Sequence, residues 1–221
     1  MNHRVEILNR FKRFGEPANS IWFIGIEEGA TWPEDPDEAD GLLRKYEPGH
    51  FYSEQGDVFK SPIYTVISKI MVAVSRQDPR NIDGWRAYRD GRLFKHGEDV
   101  FQANLYPIGR PRINSWPDHY QDLFGIRKGD LGAYKALVKT NRFPELHSFW
   151  QQSSPRATIC FGKTFWPEFR ELLKAPWKEP DKGDPFIKYS HPPVILTPFF
   201  GNGHMGDTRI ERLVGVLLEL I

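Results

Sequence analysis

Two rhythms run along the chain. Short unbroken apolar runs alternate with stretches in which apolar residues recur every three or four positions. The first pattern is that of strands buried on both faces, the second that of amphipathic helices. Residues 20–25, 100–105, 157–161 and 193–197 are the four runs, and each is predicted to be a strand. Helical spacing appears first at Ile7, Leu8, Phe11 and Phe14, predicting a short helix over residues 3–14 that stops at Gly15. It returns after Ser61-Pro62, a serine cap with proline at the first helical position, as the stripe Ile63, Val66, Ile67, Ile70, Met71 and Val74. Lys163-Thr164 opens a helix with Phe165, Trp166, Phe169, Leu172 and Leu173 on one side. Asp207 or Thr208 caps the last helix, whose apolar face is Ile210, Leu213, Val214, Leu217 and Ile221. Residues 36–46, 130–139 and 143–152 are further helical candidates.

Between these elements the chain is polar and rich in proline and glycine. Residues 32–40, 48–57, 113–130 and 176–189 read as loops, and 77–99 as an irregular insert with one helical turn. No repeat, low-complexity segment or linker divides residues 1–221, so one domain is expected. Strands that alternate with helices predict an α/β fold with helices on both faces of the sheet. The expectation is a three-layer α/β/α sandwich around a four-stranded, mostly parallel sheet.

Composition narrows the function. Lys and Arg number 30 against 29 Asp and Glu, a net charge of +1, so bulk charge does not bind nucleic acid here. Any such binding needs a local basic surface. Aromatic residues make up 14% of the chain, enough to supply both core area and stacking platforms. The single cysteine, Cys160, excludes an internal disulfide, a thiolate zinc cluster and a cysteine-held iron–sulfur centre. No His-x-x-x-His pair and no Gly-x-Ser-x-Gly elbow occur. No apolar signal region and no apolar run of membrane-spanning length is present. A soluble, cytoplasmic, monomeric protein without a cofactor, metal or membrane contact is the expectation.

The chemistry lies at the strand ends. Residues 21–30 read Ile-Trp-Phe-Ile-Gly-Ile-Glu-Glu-Gly-Ala: a buried run that stops at two adjacent acids between Gly25 and Gly29. In an open α/β sheet ligands bind just beyond the carboxyl ends of the strands. Glu27 and Glu28 stand there, and two close acids push one of their pKa values up, which suits acid–base work. The second run ends at Asn104, whose amide both donates and accepts, and continues into Tyr106. Arg110 and Arg112 follow and are candidates for nucleic-acid backbone contact, or plain solvated loop residues. The third run ends at Gly162-Lys163-Thr164, a helix start able to hold a phosphate but without P-loop spacing. The fourth ends in Pro198-Phe199-Phe200-Gly201-Asn202-Gly203-His204. One of Phe199 and Phe200 belongs to the core and the other is free to stack on a base, with Phe51 and Tyr52 as alternatives. His204 among glycines is either a hydrogen-bonding group for a leaving base or a solvated loop histidine.

Taken in order, these four strand ends resemble the uracil-DNA glycosylase superfamily. Gly25-Ile26-Glu27-Glu28-Gly29 is similar to that family's first turn, which carries the water-activating or water-positioning residue. Ala103-Asn104-Leu105 is similar to the strand end that reads the flipped base, and Ile159-Cys160-Phe161-Gly162-Lys163 to the third. The family's His-Pro-Ser loop is replaced here by Thr197-Pro198-Phe199-Phe200-Gly201-Asn202-Gly203-His204. The resemblance implies a DNA glycosylase-like protein that hydrolyses the N-glycosylic bond of a flipped, damaged or deaminated base without a metal. Glu27, Glu28 and His204 are then the catalytic candidates. Gly25, Gly29, Asn104, Tyr106, Gly162, Phe199, Phe200 and Asn202 are the substrate-binding candidates. The alternative is a non-catalytic protein of the same fold that binds a nucleotide or nucleic acid, with DNA as the expected partner in the first case.

Overall fold

The computed structural model describes residues 14–27, 29, 34, 35, 38, 61–110, 112, 114–121, 125–127, 129–176, 178–180 and 185–221. The helices expected over 3–14 and 36–46, the loop with Phe51 and Tyr52, and Glu28 fall essentially outside these residues.

The chain forms β1 (Ile21–Gly25), α1 (Pro62–Ser75), α2 (Trp85–Gly91), β2 (Val100–Asn104), α3 (Leu131–Ser153) and β3 (Ala157–Phe161). A short 3₁₀ turn (Lys163–Phe165), α4 (Trp166–Leu173), β4 (Ile187–Ser190), β5 (Pro193–Thr197) and α5 (Asp207–Leu220) follow. The sheet order is β2-β1-β3-β5-β4. The four apolar runs pair in parallel, and their carboxyl ends are aligned: Gly25 faces Asn104, Ile24 faces Cys160, and Phe161 faces Thr197. β1, β2 and β3 are buried along their whole length, as expected of strands covered on both sides.

Alternation along the strands sorts their side chains into two cores. Trp22, Ile24, Phe101, Ala103, Cys160 and Leu196 pack with residues of α3 and α4 on one face. Ile21, Phe23, Val100, Ile159 and Ile195 pack with residues of α1, α2 and α5 on the other. The expected three layers are therefore present. At α1 the Ser61 hydroxyl accepts from the Ile63 amide at 3.4 Å, and proline stands in the first turn.

Two details differ from expectation. Among the described residues the sheet has five strands, because residues 187–189, expected as the end of a loop, form β4 with Ser190, antiparallel to β5 at the sheet edge. Only Ile187 of β4 is fully buried, so an edge strand in polar company carries no apolar run to announce it. The two helices expected over 130–139 and 143–152 are one, α3, with Pro144 inside it. Proline removes one backbone hydrogen bond. The buried stripe Tyr134, Val138, Arg142, Leu146 and Trp150 nevertheless runs straight through, and Pro144 is on the solvent side. Packing of that stripe outweighs the lost bond.

Among the described residues no helix is long and apolar enough to cross a membrane.

Candidate functional site

The connection from β1 to β2 carries α1 and α2 on one face, while that from β2 to β3 carries α3 on the other. β1 has both β2 and β3 as neighbours, so the crossovers diverge around it. Ligand crevices in open α/β sheets form at such a point, outside the carboxyl ends of the strands. Glu27 lies there.

Pairing of β1 with β2 continues past the strand ends. The Leu105 amide donates to the Gly25 carbonyl and the Tyr106 amide to the Ile26 carbonyl, both at 2.9 Å. This holds Tyr106 beside the Ile26–Glu27 turn. The loop beyond is fixed from below. The Ile108 amide donates to the Tyr134 hydroxyl at 3.3 Å, the Tyr120 hydroxyl donates to the Gly109 carbonyl, and Trp116 packs on both rings. Arg110 is delivered to Glu27. Its Nε donates to Glu27 Oε2 at 2.8 Å and its Nη2 donates to the same oxygen. The Arg110 side chain is 0% exposed and that of Glu27 7%. Arg110 is thus no contact for a nucleic-acid backbone, which corrects that expectation: a guanidinium buried against a carboxylate cannot reach a phosphate outside. Arg112 is exposed.

Burial pushes the Glu27 carboxyl up to about 7, outweighing the hydrogen bond and charge of Arg110 and the charge of Lys135, which act downward. Burial comes first among the causes, whereas repulsion between adjacent acids was the reason expected from sequence. Two buried polar atoms of the residues around this turn have no hydrogen-bond partner among the described residues: Arg110 Nη1 and Tyr106 Oη. Tyr106 feels the charges of Glu168, Arg110 and Glu27, and burial drives its phenol far above its ordinary range.

Asn104 is 2% exposed and ends β2 opposite Gly25. A Cβ on Gly25 would stand 2.8 Å from Asn104 Oδ1 and 2.8 Å from the Phe161 ring. Glycine at 25 is what lets the amide come this close. Arg142 of α3, itself buried, secures the strand end: its Nη2 donates to the Asn104 carbonyl at 2.9 Å and its Nε to that of Leu105 at 3.0 Å. Sequence reasoning passed over Arg142. Its signal was a charge inside the four-residue spacing of Tyr134, Val138, Leu146 and Trp150.

Gly162 has φ +133°, and a Cβ there would lie 2.6 Å from Ile26 Cδ1. It gives Ile26 room to pack beneath the Glu27 turn. Gly29 is exposed, and a Cβ there would meet nothing within 4 Å among the described residues. Phe200 is the core member of its pair, stacked on Phe161 at 4.5 Å between centroids, and Phe199 is half-buried. Asn202 is exposed with φ +55°.

His204 is exposed on the loop after β5, two strands away from β1. It lines a cleft of about 640 Å³ with Gly203, Gly206, Asp207, Arg209 and Arg212. Neither Glu27 nor Asn104 lines that cleft. The structure therefore brings together Glu27, Asn104, Tyr106 and the glycines at 25 and 162, and places His204 and Asn202 apart. Among the described residues no group of three or more His, Cys, Asp or Glu is placed to hold a metal.

Comparison with known protein families, with curated proteins and with solved structures finds no match for this chain.

Proposed function

We propose that the protein hydrolyses the N-glycosylic bond of a base flipped out of nucleic acid, with Glu27 handling the attacking water and Asn104 holding the base edge. The observation that carries this is the Glu27 carboxyl. It stands at the carboxyl end of β1, between β2 and β3, with its pKa pushed up to about 7, and the Arg110 guanidinium that bonds it has Nη1 without a partner among the described residues. A base poised near the working pH combines the right protonation state with useful basicity. An ionised Glu27 also stabilises positive charge developing on the sugar. Asn104 supplies a donor and an acceptor for a base edge. Flipping costs about a few kcal/mol, least for a damaged or mismatched base, which is one source of selectivity. Phe199 is the stacking candidate of its pair. His204 would have to reach the leaving base from its separate cleft.

Base release from a panel of damaged single- and double-stranded DNAs tests the reading. Glu27→Gln should slow cleavage far more than it weakens binding, and Asn104→Ala should weaken binding and relax base choice. The rate should rise as pH passes about 7, because the base form of Glu27 is the active one. Release that Glu27→Gln leaves at the wild-type rate sinks the assignment.

The second reading, a non-catalytic binder of a nucleotide or nucleic acid, is favoured by one observation: Glu27 Oε2 is already taken by Arg110. Binding that weakens with salt, with no base released from any substrate, would select it.

A further inference from the structure

Arg110 does not face Glu27 fork to fork. Nε and Nη2 both end on Oε2, and no described residue donates to Oε1. An arginine–carboxylate pair more often spreads two bonds over two oxygens. Arg110 Nη1, on the opposite side of the guanidinium carbon from Oε2, has no partner among the described residues.

We propose that Arg110 is the positioning residue of Glu27: it pins Oε2 with two N–H groups and leaves Oε1, to which no described residue donates, as the oxygen that takes the water. This rests on Glu27 being the water-handling group. Arg110 touches no substrate in this arrangement and acts through the carboxylate. Among the described residues the charged groups around Glu27 are Arg110 after β2 and Lys135 on α3, both of which lower its pKa. Tyr106 and Tyr134 stand by as neutral phenols, and Glu168 of α4 bears on Tyr106. Without Arg110, Lys135 alone among the described residues opposes the effect of burial, so the carboxyl titrates higher.

The experiment is a pH titration of carboxyl carbons by NMR on glutamate-labelled protein, with Glu27→Gln used to assign the signal. Wild type should show an inflection near pH 7. Arg110→Gln should move it upward, and Arg110→Lys should place it between the two. An unchanged inflection in a folded Arg110→Gln protein overturns the proposal. Where that variant does not fold, Arg110→Lys carries the test, since one ammonium cannot reproduce both bonds to Oε2; an unchanged inflection there has the same force. All of these readouts work without substrate. If they come out as expected and no base is released, the geometry stands and the hydrolytic reading falls.

Discussion

Arg110 donates two guanidinium N–H groups to a single oxygen of Glu27 across 83 residues of sequence. The two side chains leave adjacent parallel strands at the same edge, and the ion pair they form is buried. Taking two charges out of water is expensive, and their attraction need not repay it. Here it does not: burial still holds the Glu27 carboxyl at about 7.

This sign sets the pH dependence of stability. A carboxyl raised in the folded state binds its proton more tightly there than in the unfolded chain. Its contribution is fully present below about 4.5 and is lost as pH rises to about 7. Glu27→Gln, which imitates the protonated acid, should therefore gain on wild type between pH 5 and 8, by up to about 3 kcal/mol. Urea unfolding of both proteins at the two pH values checks it. A wild type that gains on the variant instead would mean that Arg110 outweighs burial.

Arg142→Met should destabilise the protein by about 3 kcal/mol, since the carbonyls of Asn104 and Leu105 lose buried donors. Chemical denaturation gives the magnitude. Hydrogen exchange should quicken at the Leu105 and Tyr106 amides, which pair with the Gly25 and Ile26 carbonyls. Faster exchange spread evenly over the whole sheet would argue against a local clamp.

The glycines separate by what they touch. Gly162→Ala combines a disfavoured φ with a collision against Ile26, and should cost about 2 kcal/mol or more. Gly29→Ala meets nothing among the described residues and should lie within about 0.5 kcal/mol of wild type. Thermal unfolding of the two variants distinguishes them. A ligand-binding defect in Gly29→Ala without loss of stability would place the ligand at the turn itself.

Phe200→Ala opens a cavity beside Phe161 and should cost about 3–5 kcal/mol. Phe199→Ala should cost clearly less, because Phe199 is half-buried. Binding of single-stranded DNA measured by fluorescence anisotropy is then informative at Phe199: a weakening there, with the fold intact, is the signature of stacking.

Much of this architecture follows from local pattern. The four parallel strands, the Ser61-Pro62 helix start and the helix faces were legible because a buried strand must be apolar and an amphipathic helix must repeat near every fourth residue. β4 was not legible, because an edge strand next to β5 needs little apolar surface. The continuity of α3 through Pro144 was hidden for a different reason: local propensity stops there, and packing of a long stripe carries the helix on.

The sequence by itself determined which residues stand at the strand ends, Glu27 and Asn104 among them, since each apolar run stops where its sheet stops. Only the tertiary structure decided what surrounds them. It gave Glu27 to Arg110, left Tyr106 Oη and Arg110 Nη1 without partners among the described residues, seated Phe200 in the core and set His204 at another cleft. The reason is physical. A strand or helix period is fixed by neighbours a few residues away, whereas an ion pair and a raised pKa depend on groups brought together by strand order and on the burial all of them share. No short stretch of sequence contains either.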